Sequence, residues 1–85
     1  MSHGKYIVIF KKDAPQEAID NMMSSVSSEG GEVQHHYKMS KMRGFSATIP
    51  DTFLTNLTGD QYIDYIEPDG EVTTMAKSLG LNAKA

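Results

Sequence analysis

The spacing of hydrophobic positions changes along the chain, and the first two patterns predict a strand followed by a helix. Lys5–Lys11 is a continuous β-branched and aromatic run. It is too short for a typical helix and predicts a strand buried on parts of both faces, hence a central one. Apolar residues then recur at helical spacing from Ala18 to Val26, and the pattern ends at Gly30-Gly31, a strong helix stop.

Capping residues and a polar face define the predicted helix further. Asp13 is expected to cap its N-terminus, with Pro15 inside the first turn and Gln16 three residues after the cap. The outer face is polar and poor in helix propensity, so packing on a sheet must supply most of the helix's stability. That face consists of Asp20, Asn21, Ser24, Ser25, Ser27 and Ser28.

The remaining patterns predict a hairpin, a short helix and a last strand. Residues 32–39 alternate between apolar and polar positions, and residues 42–49 do the same, so the two are expected to form a β-hairpin. A short helix over residues 51–57 follows, and residues 62–67 are expected to form the final strand. The predicted order is therefore strand, helix, strand, strand, helix, strand.

This order of elements is that of the ferredoxin-like fold, which belongs to the α+β class. It predicts a βαββαβ sandwich in which a four-stranded antiparallel sheet carries both helices on one face. The other face is left open, and on a domain this small an open sheet face is a natural docking surface. We expect residues 4–70 to form the domain and residues 71–85 to form an extended C-terminal tail.

The last third of the chain carries the strongest indication of function. After residues 67–70, the uncharged β-branched segment Val72–Met75 suits a strand offered to a partner's groove. There, backbone hydrogen bonds supply affinity and alternate side chains fill pockets. Glu67 and Asp69 lie between the final strand and this segment. They are equally compatible with turn-forming surface acids and with carboxylates offered to the N-terminus of a partner's helix.

Composition and charge narrow the class of protein. Eighty-five residues make one domain with too little core for a large buried active site, and a net charge of −3 argues against nucleic acid, which binds basic faces. The chain has no cysteine and hence no disulfide or thiol chemistry. Without a membrane-spanning run or a signal-peptide start, we expect a cytoplasmic protein that binds no membrane. A vacuolar or secreted location applies if the chain is a processed fragment.

Residue types with catalytic or metal-binding chemistry form no constellation in the sequence. His35 and His36 are adjacent on a predicted strand and point to opposite faces, so they do not chelate one ion. The serines fall on the polar helix face, and no glycine pattern of a nucleophile elbow surrounds them. The basic group of Lys38, Lys41 and Arg43 is expected to be a solvated surface. We therefore expect no metal, no cofactor and no catalytic residue.

Several motifs together resemble a known family. Their order and spacing are similar to those of the N-terminal propeptides of subtilisin-type serine proteases. They are more similar still to the stand-alone fungal inhibitors of the proteinase A and yeast proteinase B type, which are built on that propeptide. The similarity runs from about Gly4 to Met75. The motifs are Gly4–Lys11, Gly30–Gln34, Ser46–Ile49 and Tyr65–Asp69, with Gly44-Phe45 and Asp69-Gly70 before Val72-Thr73-Thr74 as further shared details.

The resemblance implies an inhibitor of subtilisin-like serine proteases that performs no chemistry. In this family the open sheet face packs on two parallel surface helices of the protease, and by position Glu67 and Asp69 match the acids that cap those helices. Val72 corresponds to the fourth residue before the cleaved bond, and Met75 to the residue in the primary specificity pocket. The segment that lies in the substrate cleft as a product-like strand corresponds to Val72, Thr73, Thr74 and Met75.

Two departures from the family pattern leave alternatives open. Pro68 replaces an acidic residue often found between the two capping acids, and residues 76–85 extend beyond the expected end. This extension is compatible with a cleavable Met75–Ala76 bond, with the remnant of a junction to a protease domain, or with a terminal tail. The alternatives to a stand-alone inhibitor, monomeric when free, are a propeptide that acts as the intramolecular chaperone of a subtilisin-like protease and an unrelated ferredoxin-like interaction module.

Overall fold

The computed structural model of the chain describes residues 3–40 and 42–69, and it confirms the predicted order of elements. The four strands pair in the order β2-β3-β1-β4, and every pairing is antiparallel. The architecture is therefore α+β and compatible with the ferredoxin-like fold, with β1 in the centre as predicted. The elements are β1 (His3–Phe10), α1 (Gln16–Ser28), β2 (Glu32–Met39), β3 (Met42–Pro50), α2 (Asp51–Leu57) and β4 (Ile63–Pro68).

The core lies on one face of the sheet, where both helices pack. Alternate residues of β1 and β3 meet the apolar sides of α1 and α2 there, and the rings of Phe10 and Phe45 lie 6.0 Å apart. Neither helix in the described part of the chain is long and apolar enough to cross a membrane. The buried cluster consists of Tyr6, Val8, Phe10, Ala14, Ile19, Val26, Phe45, Ala47, Ile49, Leu54, Leu57 and Ile66.

The N-terminus of α1 differs from the sequence prediction. The helix begins at Gln16, and the residue in the capping position is Pro15, which is extended and makes no side-chain cap hydrogen bond. The prediction that Asp13 caps the helix is wrong. A cap at Asp13 would require a helical conformation at Ala14, which the following proline disfavours. The chain instead turns before the helix, where the Ala14 N–H donates to the Lys11 carbonyl at 3.1 Å.

The C-terminus of α1 is closed by the predicted glycine stop. Gly30 has a φ of 93°, in the left-handed region that glycine adopts without steric cost. Its N–H donates to the Ser27 carbonyl at 3.2 Å, and the Gly31 N–H donates to the Val26 carbonyl at 2.8 Å. These two bonds form a Schellman motif, which satisfies carbonyls at the helix end and turns the chain into β2.

Arg43 has a structural role that the sequence did not indicate. Its guanidinium donates through Nη1 to the carbonyl of Lys12 at 3.1 Å and to that of Ala14 at 2.8 Å. The interpretation of Arg43 as part of a solvated basic surface is therefore wrong. Arg43 fixes the β1–α1 loop against the sheet. The sequence does not indicate this role, because the loop and β3 are distant in the chain and meet only in the folded protein. Lys38 is exposed as expected, and Lys41 lies outside the described residues.

The last strand begins and ends one residue later than predicted. β4 comprises Ile63–Pro68, and Tyr62 contributes its carbonyl to the N–H of Lys11 at 2.8 Å. A register shift between Ile9 and Phe10 leaves Asp64 unpaired in a bulge. Pro68 is the last residue of β4, and β4 is an edge strand, where proline is tolerated.

Candidate protein-docking site

The sheet face opposite the helices is organised in rows that cross the strands. Because side chains alternate along a strand, the residues of β1 that flank the core positions Tyr6 and Val8 belong to this open face. Ile7 and Ile9 are both only 4% exposed although neither belongs to the core cluster. Two rows follow from the register: Gly44–Ile9–Tyr65 and Ser46–Ile7–Glu67.

Strand β2 extends this face with aromatic and apolar side chains. The rings of His35 and Tyr37 lie 6.5 Å apart, and these residues pair with Ser46 and Gly44 of the two rows. Met39 is 55% exposed near the end of the strand. The centre of the open face is therefore formed by the buried side chains of Ile7 and Ile9, and more accessible side chains surround it.

The two adjacent histidines lie on opposite faces, as predicted. His35 is on the open face, whereas His36 pairs with Phe45 and meets the Gln16 side chain of α1, with 3.3 Å between the two Nε2 atoms. The two imidazoles do not converge. Within residues 3–40 and 42–69, no group of three His, Cys, Asp or Glu side chains is arranged to hold a metal ion.

Glu67 and Asp69 are brought together on the open face at the edge strand. Glu67 is half-buried opposite Ile7, and Asp69 is exposed. The N–H of Asp69 donates to the Lys5 carbonyl at 2.8 Å, which extends the β1–β4 ladder by one residue beyond the strand. Because the two acids are two residues apart in extended chain, they lie on the same side of the sheet.

Both carboxylates are available to a partner. Among the residues that the structure describes, neither carboxylate accepts a hydrogen bond or forms an ion pair. Pro68 between them is fully buried and pairs with Tyr6 on the helix side. Unpaired acceptors with negative charge match the free N–H groups and positive end of a helix N-terminus.

The predicted cleft-binding residues lie beyond the described part of the chain. Val72, Thr73, Thr74 and Met75, and with them the Met75–Ala76 junction, fall outside residues 3–40 and 42–69. Their assignment therefore stays a prediction.

Sequence reasoning missed one residue of this site. Tyr65 is 45% exposed on the open face, in the row of Ile9 and two residues before Glu67. The signal was present in the sequence, because a residue two before a strand carboxylate shares its face. Exposed aromatic residues such as tyrosine are enriched in protein-binding surfaces.

The fold and this site define a small α+β domain with a core on one sheet face. Its other face presents an exposed tyrosine and two carboxylates that have no partner among the described residues. Residues 5–75 match the sequence model of the Peptidase inhibitor I9 family, and the chain belongs to this family. The matched range includes the entire sheet from Lys5 onward and both carboxylates of the site.

Three relatives align over nearly their whole length. Serine proteinase inhibitor IA-1 of Pleurotus ostreatus is 43% identical over 75 residues, and serine proteinase inhibitor IA-2 of the same organism is 41% identical over 75 residues. Each alignment covers 86% of this chain and 99% of the relative. An uncharacterized protein of Schizosaccharomyces pombe is 31% identical over 77 residues, with 91% of this chain and 99% of the relative covered.

Proposed function

We propose that this protein inhibits subtilisin-like serine proteases as a stand-alone domain. The observation that carries the proposal is the similarity to two relatives that are named serine proteinase inhibitors and align over 99% of their own length. Since almost nothing of those relatives lies outside the alignment, their inhibitory name belongs to a domain of this size with no protease attached. The family match over residues 5–75 supports the same function.

The open sheet face is the proposed contact with the body of the protease. Glu67 and Asp69 cap two surface helices of the enzyme there, and Tyr65 supplies apolar contact beside them. The geometry supports this role because both carboxylates are on the open face and lack partners among the described residues. A good helix cap is worth about 0.5–2 kcal/mol, so two caps contribute substantially to the affinity.

The tail is the proposed contact with the substrate cleft. Val72, Thr73, Thr74 and Met75 lie there as a product-like strand, with Val72 in an apolar pocket and Met75 in the primary specificity pocket. Strand addition supplies main-chain hydrogen bonds, and alternate side chains give selectivity. Two residues, 70 and 71, separate Asp69 from Val72, so the cleft lies within about 10 Å of the capping contacts along an extended chain. No chemistry is required of this chain.

Changes confined to the tail test this assignment. Val72→Asp is expected to raise the inhibition constant Ki for subtilisin by about 100-fold, because an apolar pocket would have to desolvate a charge. Removal of residues 72–85 is expected to abolish inhibition while the circular dichroism spectrum and unfolding midpoint persist.

Val72→Leu serves as the matched control, since it changes the size of the side chain but keeps it apolar. Its Ki is expected to stay within about threefold of the unaltered chain. Equal potency of the Val72→Asp variant, or full inhibition by the shortened chain, would remove the tail from the mechanism.

A further inference from the structure

Pro68 lies between the two carboxylates of the docking site, at a position where proline sacrifices no ladder hydrogen bond. β4 is an edge strand, and Pro68 is opposite Tyr6 in β1. The next residue, Asp69, donates its N–H to the Lys5 carbonyl at 2.8 Å. Hydrogen-bonded pairs alternate with non-hydrogen-bonded pairs along an antiparallel ladder, so the Pro68 position is non-hydrogen-bonded. Its nitrogen is directed away from β1, toward the free edge of the sheet.

The proline restrains the backbone that carries both acids. Its ring is fully buried and faces the helix side, so the flanking side chains of Glu67 and Asp69 face the open side. Proline fixes its own φ at about −65° and also restricts the residue before it, here Glu67, to extended conformations. On the other side, Asp69 is held by its hydrogen bond to β1.

We propose that Pro68 is a positioning residue that holds the carboxylates of Glu67 and Asp69 in binding geometry before the protease arrives. This inference rests on the proposed function, in which the two acids bind the N-termini of two helices of the protease. The ends of strands fray unless something ties them down, and ordering a frayed segment on binding subtracts from the affinity. With Pro68 in place, the segment that carries the two acids is already ordered in the folded protein, so its ordering does not reduce the affinity for the protease.

A role in positioning differs measurably from a role in stability alone. If Pro68 acts through the carboxylates, its replacement weakens inhibition only while the carboxylates are present. If it merely stabilises the fold, its replacement has the same effect on inhibition whether or not the carboxylates are present. The appropriate comparison is therefore a double-mutant cycle between Pro68→Val and the pair Glu67→Ala with Asp69→Ala, which removes both capping groups. Valine retains an apolar, strand-compatible side chain at this buried position and releases the backbone.

The expected result is a rise of about two- to fivefold in Ki for subtilisin when Pro68→Val is made in the unaltered chain. In the chain that already carries Glu67→Ala and Asp69→Ala, the same change should leave Ki unaltered. Pro50→Val is the matched control, because Pro50 is also a fully buried proline at the end of a strand but lies next to α2. It is expected to move the unfolding midpoint without moving Ki.

Amide hydrogen exchange of the free protein gives a readout that needs no protease. The N–H of Asp69 should exchange several-fold faster in the Pro68→Val variant, while amides of β1 that pair with β3 keep their rates. Unchanged exchange at Asp69, an unchanged Ki, or an equal shift of Ki in both backgrounds would overturn the role of Pro68. Failure of the unaltered chain to inhibit subtilisin would instead overturn the proposed function, and with it this inference.

Discussion

We propose that Glu67 and Asp69 recognise the protease, and their carboxylates form no bond that holds the described part of the chain together. Arg43 is the contrasting case, because its guanidinium is engaged inside the molecule with the carbonyls of Lys12 and Ala14. The carboxylates of Glu67 and Asp69 have no such partner among the described residues. Their replacement therefore should separate binding from stability, which is rarely possible for residues of a core.

Neutralising the pair with Glu67→Gln and Asp69→Asn keeps two hydrogen-bond acceptors but removes two charges. Ki for subtilisin is expected to rise by roughly 3- to 30-fold, since each lost charge–dipole interaction is worth about 0.3–1 kcal/mol. The free energy of unfolding, measured with urea, should change by less than about 0.5 kcal/mol, because the amides have nearly the same shape and neither carboxylate has a hydrogen-bond or ion-pair partner among the described residues. The loss of affinity should shrink at high salt, which screens the interaction between the acids and the helix dipoles.

Asp64→Asn provides the control for this experiment. Asp64 is an exposed acid on the same strand, unpaired at the bulge, and it carries the same charge as the residues of the pair. Its neutralisation should change Ki by less than about twofold, as is typical of a screened surface charge. An equal loss of potency from Asp64→Asn would show that total charge, rather than the docked pair, governs binding.

At the scale of elements, α1 depends on its packing. Its buried positions, Ile19 and Val26, fix it on the sheet, while its exposed side is rich in serine. Serine has a lower helix propensity than alanine because its hydroxyl competes for backbone hydrogen bonds. Ser25 shows this competition, since its Oγ donates to the Asn21 carbonyl at 3.0 Å. The exposed side of α1 therefore lowers stability, and it lies on the opposite side of the sheet from the proposed docking face.

Replacing Ser24 and Ser27 with alanine is expected to stabilise the protein by about 0.5 kcal/mol for each change. Together the two changes should raise Tm by roughly 4–8 °C for a domain of this size. Differential scanning calorimetry provides the measurement. Ser40→Ala, in the exposed turn between β2 and β3, should leave Tm within a degree or two, and no change in Tm from the helix pair would contradict this view of α1.

The bounds of an element were predictable from the sequence where neighbouring residues determine them. They were not predictable where a contact with a distant part of the chain determines them. The glycine stop of α1 and the alternation of β3 are properties of neighbouring residues, and both predictions are confirmed. The start of α1 was mispredicted because the restriction that Pro15 places on Ala14 outweighed the capping chemistry of Asp13. β4 continues one residue beyond its predicted end because the strand accommodates Pro68. Pro68 occupies a non-hydrogen-bonded position on an edge strand, and this position follows from the register with β1.

At the scale of the whole molecule, the sheet separates two tasks between its faces. One face builds the core with both helices, and the other presents Tyr65 and the carboxylate pair. Alternation in the sequence predicts this separation, and it also places Glu67 and Asp69 on one side. The continuous apolar run of β1 predicts burial on both faces of that strand, and the burial of Ile7 and Ile9 on the open face confirms it. The run does not predict which residues of β3 and β4 lie beside them, because that depends on the register.

The most direct test of the proposed function is a titration of subtilisin activity with the purified, folded protein, followed over several hours. We predict stoichiometric loss of activity at low concentration, and we predict that the loss persists while the chain remains intact. Inhibition that decays as the chain is digested would indicate a propeptide-like role instead of lasting inhibition. Full protease activity in the presence of excess folded protein, across a range of subtilisin-like enzymes, would contradict the proposed function.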